Sequence, residues 1–219
     1  MASSSSCGKT EISLALIAGL QAQGLRVAGM KPVASGCSLH DGRLENDDAA
    51  RLRAAASLPL DYDLVNPWAL REPMAPHICA AREGREIRLP PVQQAYAALA
   101  RQTDYVVVEG VGGWQVPLSP TLSLPDLVQA LDLPVILVVG LRLGCINHAL
   151  LSARAIHDRG CTLSGWVANQ VDPAYPGEKE TLDTLRAAIA APLLGRVPFM
   201  REANSAKTAA AHLDLQLLT

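Results

Sequence analysis

Apolar residues along this chain follow two rhythms. Across residues 10–23, Ile12, Leu14, Leu16, Ile17 and Leu20 recur at helical spacing, and Gly24 closes the segment. Short apolar runs at 26–30, 105–108, 135–139, 164–168 and 193–197 each have the length of one strand. Segments 47–56, 91–102, 147–158 and 178–190 between them read as helices. Asn46 is a candidate N-cap, and Pro91 suits a first helical turn. Strands that are apolar throughout, alternating with helices, predict an α/β fold with a mainly parallel sheet covered on both faces. Residues 60–88, with Pro67, Pro73 and Pro76, are the least regular stretch and are expected to form loops over one edge. No internal repeat or long linker breaks the chain, so residues 1–219 are expected to form a single domain.

In such a sheet the ligand lies beyond the carboxyl ends of the strands. Lys31, Glu109, Gly140 and Asn169 all fall at predicted strand ends. Gly8-Lys9-Thr10 opens the first helix and has the form of a phosphate-loop ending. There, free backbone N–H groups and the helix dipole favour phosphate, a lysine neutralises its oxygens, and a hydroxyl can ligate Mg²⁺. Ser6, Cys7 and Glu11 flank the triplet and are candidate nucleotide contacts. Alone, Gly-Lys-Thr would equally fit a solvated lysine at a helix start; its place before a periodic helix in an α/β chain favours phosphate. The run Ser3-Ser4-Ser5-Ser6 reads either as a flexible end or as a loop in which hydroxyls meet phosphate oxygens.

Magnesium bound with ATP needs hard oxygen ligands, and Asp48 and Glu109 are the candidates beside Thr10. A carboxylate ending so apolar a strand as 105–108 is costly to bury unless paired or placed at a site. Gly110, Val111 and Gly112 follow it, with Gly113 behind them. Asp48 could instead serve only the helix dipole at the start of its helix. Lys31 ends the strand 26–30, and rigid Pro32 with small Ala34, Ser35 and Gly36 allows close approach by a ligand. The five histidines show no metal-ligand spacing.

Composition narrows the classes. Hydrophobic residues make up 49 % and charged residues 18 %, which argues against disorder. A formal charge of −2 offers no basic surface for nucleic acid. The most apolar run, 133–141, is far shorter than the roughly 20 residues that span a bilayer. Five scattered cysteines without a Cys-x-x-Cys pair point to reduced thiols and a cytoplasmic protein.

Taken together, the motifs resemble those of the dethiobiotin synthetases, ATP-dependent enzymes of biotin synthesis with a P-loop three-layer α/β/α fold. The resemblance runs from Gly8 to about Phe199. It rests on Gly8-Lys9-Thr10, Lys31 to Gly36, Asn46-Asp47-Asp48-Ala49 and Glu72 to His77, then on Val108 to Trp114, Leu143 to His148, Gly165 to Asn169 and Leu194-Gly195. It implies that CO₂ adds to one amine of 7,8-diaminononanoate, that the carbamate takes the γ-phosphoryl group of ATP, and that the second amine closes the ring. On that resemblance, Lys9 and Lys31 neutralise the reacting charges, Thr10, Asp48 and Glu109 hold Mg²⁺, and Ser35 touches the substrate. Asn169 and Gln170, with Pro198, Phe199 and Met200, match the adenine pocket. Gly144, Cys145, Ile146 and Asn147 form the turn that takes the substrate carboxylate across a homodimer interface.

Departures from the family pattern concentrate at the start. Ala2 to Cys7 stand where the family's loop reads roughly Gly-Thr-Asp-Thr-x-Val, and the family's preceding strand has no counterpart. A tyrosine that some members place near the substrate tail aligns with Thr181. The fold is therefore expected to survive better than the activity. A homologue with weak or altered activity, a switch-type partitioning ATPase and an amidating enzyme remain as alternatives. Against the last two stand the serines where switch ATPases carry an extra lysine and the lack of a glutaminase domain.

Overall fold

The computed structural model describes residues 7–200 and 206–218. Ser6 and the serine run lie outside them. In chain order the elements begin with α1 (Lys9–Ala22), β1 (Val27–Met30), β2 (Val33–Ala34), β3 (Ser38–His40) and β4 (Arg43–Glu45). Next are α2 (Asp47–Ala54), α3 (Tyr62–Val65), β5 (Trp68–Ala69), α4 (Pro76–Arg82) and α5 (Leu89–Ala100). β6 (Tyr105–Val108), α6 (Leu124–Ala130), β7 (Val135–Leu141) and α7 (Cys145–Asp158) follow. Then come β8 (Leu163–Gln170), α8 (Glu178–Ala188), β9 (Leu193–Val197), α9 (Ala206–Ala210) and a short 3₁₀ helix (Leu215–Leu218).

Two compact units divide these elements. The first comprises Met1–Gly19, Gly112–Trp114 and Leu133–Thr219; the second comprises Leu20–Val111 and Gln115–Asp132.

In the first unit β7, β8 and β9 form a parallel sheet in that order. Alternate residues of β7, namely Leu137, Val139 and Leu141, point to one face. There they join Cys145 and Ala149 of α7, Leu182 and Leu185 of α8, and Trp166 and Ala168 of β8 in one buried cluster. Burying each large side chain of this kind contributes about 1.5–3 kcal/mol.

In the second unit β1 and β6 pair in parallel, with Met30 opposite Val108. β1 is buried throughout, as an all-apolar strand of a covered sheet should be. β6 is only half-buried, although its sequence is just as apolar. β2 and β5 make a second, two-residue parallel pair. β3 and β4 form an antiparallel hairpin across Asp41 and Gly42, both at positive φ, as a tight two-residue turn requires. Residues 60–88 are more regular than their prolines suggest, because they contain α3, β5 and α4. Pro76 does not break α4; it occupies the first turn, where no N–H is needed. Among the described residues no helix is long and apolar enough to cross a membrane.

Candidate active site

The phosphate turn lies in the first unit. Cys7 is buried, and Gly8 adopts φ +81°, a conformation that favours glycine. The Ile12 N–H donates to the Gly8 carbonyl at 3.1 Å, so the turn leads directly into α1. Lys9 and Thr10 begin that helix, and Glu11 lies in its first turn. Lys9 is half-buried and makes no ion pair among the described residues. The Asn169 Nδ2 donates to the Cys7 carbonyl at 2.9 Å. Gly140 sits opposite Asn169 in the sheet, and a Cβ added there would come within 3.0 Å of Cys7. β7 and β8 run past the predicted ends, so both residues lie inside strands rather than after them.

The next residue, Gln170, serves the segment after β9. Its Oε1 accepts from the Phe199 N–H at 3.1 Å and from the Arg196 Nη2 at 3.1 Å. The Arg196 guanidinium also binds Glu178, with Nη2 at 2.9 Å from Oε2. This fork braces Pro198-Phe199-Met200 against α8. Phe199, the chain's one phenylalanine, is 40 % exposed. Arg196 and Glu178 were not legible from the sequence as parts of this arrangement.

In the second unit, the β1–β6 register brings Lys31 and Glu109 side by side immediately beyond the strands. The Glu109 N–H extends the ladder by donating to the Met30 carbonyl at 2.7 Å. The Lys31 Nζ lies 2.7 Å from Glu109 Oε1 and 2.7 Å from Asp48 Oδ2. Lys31 and Glu109 side chains are 7 % and 2 % exposed, whereas Asp48 is 40 % exposed. Burial pulls the Lys31 pKa down most strongly, but Glu109 and Asp48 together outweigh it and hold the ammonium above its ordinary value.

A hydrogen-bonded scaffold positions this triad. Asn46 caps α2, its side chain accepting from the Ala49 N–H, and so presents Asp48 in the first turn. The Asn46 N–H donates to the Tyr62 hydroxyl at 2.7 Å, and that hydroxyl donates to Asn66 Oδ1 at 3.2 Å. Asn66 Nδ2 in turn donates to the Lys31 carbonyl at 2.6 Å. Tyr62 and Asn66 are both buried, and burial is the main cause pushing the Tyr62 phenol up to about 12. These two residues link the Asp48 helix to the Lys31 strand end, and sequence reasoning passed over both. The only sequence signal for Asn66 is a polar residue directly after the apolar pair Leu64-Val65.

Comparison with known proteins settles the family. A family model described as an AAA domain matches residues 2–207. The ATP-dependent dethiobiotin synthetase BioD of Aromatoleum aromaticum is 50 % identical over 204 residues, covering 93 % of this chain and 91 % of the relative. The chain belongs to the dethiobiotin synthetase family. The synthetase BioD of Xanthomonas axonopodis pv. citri is likewise 50 % identical over 202 residues, 92 % of this chain and 90 % of its own. BioD 1 of Escherichia coli is 47 % identical over 211 residues, 96 % of this chain and 94 % of its own. Among solved structures, a ParA family ATPase from Chlorobium tepidum aligns with 99 % of this chain and 90 % of its own, at TM-score 0.54 and 14 % identity. That likeness supports the P-loop α/β fold and nothing finer.

Other motifs of the synthetase family are placed unevenly. The Ser35 carbonyl accepts from Asn46 Nδ2 at 3.5 Å, next to the Asp48 helix. Gly110 is buried, with Val111 and Gly112 half-buried. Gly144 is the N-cap of α7 at φ +88°, but Cys145 turns into the core and gives its N–H to the Arg142 carbonyl. Ile146 packs on the same cluster. Only Gly144 and Asn147 of that turn are exposed. The Thr181 hydroxyl is buried 2.7 Å from the Tyr175 hydroxyl.

Proposed function

We propose that this chain is an ATP-dependent dethiobiotin synthetase. The observation that carries the reading is one buried lysine held at 2.7 Å by two carboxylates at the carboxyl end of a parallel strand pair, heading a loop of small residues. That arrangement suits a site where charge is gathered and transferred, within a family whose named relatives make dethiobiotin.

Support for a cation site comes from its carboxylates. Asp48 and Glu109 already converge on one positive centre, the Lys31 ammonium. Among the described residues no cluster of three or more His, Cys, Asp or Glu side chains could hold a metal ion. Asp48, Glu109 and the Thr10 hydroxyl are hard oxygen donors of the kind Mg²⁺ takes, alongside waters and phosphate oxygens. When bound, Mg²⁺ would neutralise charge on the ATP phosphates.

The chain's own groups then have separate tasks. The N–H groups opening α1 and the Lys9 ammonium take the phosphates of ATP. Lys31 and Ser35 hold the carbamate formed when one amine of 7,8-diaminononanoate adds CO₂ and loses a proton. A carbamate oxygen attacks the γ-phosphorus and ADP leaves, giving a carbamoyl phosphate. The second amine attacks the carbamoyl carbon, and phosphate departs as the cyclic urea closes. Catalysis here is mainly positioning and electrostatics, as in phosphoryl transfer generally. The 198–200 segment takes the base, and the Gly144–Asn147 turn the substrate carboxylate, in a homodimer. Leu143, 90 % exposed, and Leu151, 62 % exposed, supply an apolar surface beside that turn for a second copy. Five unpaired cysteines suit a cytoplasmic enzyme.

Incubation with diaminononanoate, bicarbonate, ATP and Mg²⁺ should yield dethiobiotin and ADP in equal amounts. ATP hydrolysis at the same rate with and without the diamine would overturn the reading in favour of a switch ATPase.

A further inference from the structure

Resemblance assigns Asn169 to the base, and the side chain also makes a contact with the phosphate turn. Its amide reaches across 162 residues of sequence to the phosphate turn, where Nδ2 donates to the Cys7 carbonyl at 2.9 Å. Asn169 is 7 % exposed, so this bond forms in a desolvated setting where an unmet donor would be costly. The contact is also steric. A Cβ on Gly8 would lie 2.2 Å from Asn169 Nδ2, so the turn and the amide fit only because residue 8 has no side chain. On the neighbouring strand Gly140 clears the same turn, with Cys7 only 3.0 Å from where its Cβ would be. Adjacent positions of β7 and β8 thus form a seat: a glycine admits the turn and an asparagine grips it.

We propose that Asn169 is a positioning residue for phosphate binding, acting through the Cys7 carbonyl on the peptide that leads into Gly8. Holding that carbonyl turned toward β8 fixes the peptide plane between Cys7 and Gly8. The Gly8 N–H lies in that plane and points opposite to the carbonyl, so it is aimed away from β8. The turn is pre-organised before any anion arrives, so less ordering remains to be done on binding. The proposal rests on the reading of Gly8 to Thr10 as a phosphate turn.

The probe is inorganic tripolyphosphate, which has no base, measured by calorimetry beside ATP on the full chain. The variants are Asn169→Ala and Asn169→Leu; the second keeps most of the buried volume if the first does not fold. Parent protein should bind both ligands. Each folded variant should lose about threefold to tenfold in tripolyphosphate affinity, the weight of one hydrogen bond, and at least as much for ATP. Loss for ATP with unchanged tripolyphosphate binding would make Asn169 a base reader and overturn the proposal. Failure of both variants to fold would make it a structural residue and overturn the proposal equally. If the parent itself binds no tripolyphosphate and no ATP, the phosphate turn is misread and the proposed function fails with it.

Discussion

Lys9 and Lys31 are two cations in opposite circumstances. Lys9 starts a helix in the first unit, half-buried and without an ion pair among the described residues. Lys31 follows a buried strand in the second unit, with two carboxylates at 2.7 Å. A cation held ready for an anionic ligand can leave the fold with little loss, because nothing depends on it until the ligand comes. A cation that already neutralises a buried carboxylate is part of the fold as well as of the chemistry. The expected consequences differ in kind.

The largest effect should come from Lys31→Met. It leaves Glu109, 2 % exposed, beside a half-exposed Asp48 with no ammonium between them. Breaking a buried pair from one side typically costs about 3–5 kcal/mol, which in a chain of this size lowers the melting temperature by on the order of 10 °C. Adding Glu109→Gln to Lys31→Met should restore much of that loss, since the buried negative charge goes with it. A melting temperature for Lys31→Met within a degree or two of the parent would erase the distinction between the lysines. Alone, Glu109→Gln should also cost the fold something, because it weakens the partner of a buried ammonium.

Lys9→Ala should do the reverse, leaving the melting temperature unchanged while kcat/KM for ATP falls. Losing a charge-assisted contact to a phosphoryl group costs about 2–4 kcal/mol, or roughly 30- to 1000-fold. The loss should appear mainly in the KM for ATP. A lowered melting temperature with an unchanged KM would show that Lys9 supports α1 rather than a ligand.

The same contrast explains what the sequence made legible. Lys31, Glu109 and Asp48 stood out because each interrupts or abuts a strong local pattern: an apolar strand or a helix start. β1 and β6 were readable for the same reason, and their register then makes the Lys31–Glu109 pair unavoidable. The supports were not readable, because they act over distances that no local pattern records. Tyr62 sits 16 residues from Asn46, and Asn169 sits 162 from Cys7. Asn169 stood out as a strand-end residue while its bond to Cys7 did not, and Tyr62 lies in a stretch that its prolines mark as loop. The β3–β4 hairpin carries a strong turn signal in Asp41-Gly42, but its strands, Ser38-Leu39-His40 and Arg43-Leu44-Glu45, lack an apolar face and so did not read as strands. Cys145 adds a second case: its family motif said nothing of its side chain, which helical phase places in the core.

The smallest effect concerns the scaffold on the Lys31 side, where Tyr62 joins the α2 cap to Asn66 and so to the Lys31 carbonyl. Tyr62→Phe keeps the ring and removes the hydroxyl, leaving the Asn46 N–H and Asn66 Oδ1 each without a partner. At neutral pH the loss should be about 1–3 kcal/mol. The effect carries a pH signature that identifies its origin. The phenol's pKa is about 12 in the fold against an unfolded value near 10. For a group raised in this way, the stabilisation is present in full below the unfolded pKa. It is lost as pH rises through the folded one, because the unfolded chain sheds its proton first. Urea midpoints of parent and variant should therefore differ by a constant amount up to about pH 9.5 and converge between about pH 10 and 12. Subtracting the variant removes the alkaline titration of every other group, Lys31 included. A gap that stays constant through pH 11 would mean the hydroxyl is not buried between α2 and the Lys31 strand end, where alone it could tie the two together and so set Lys31 apart from Lys9.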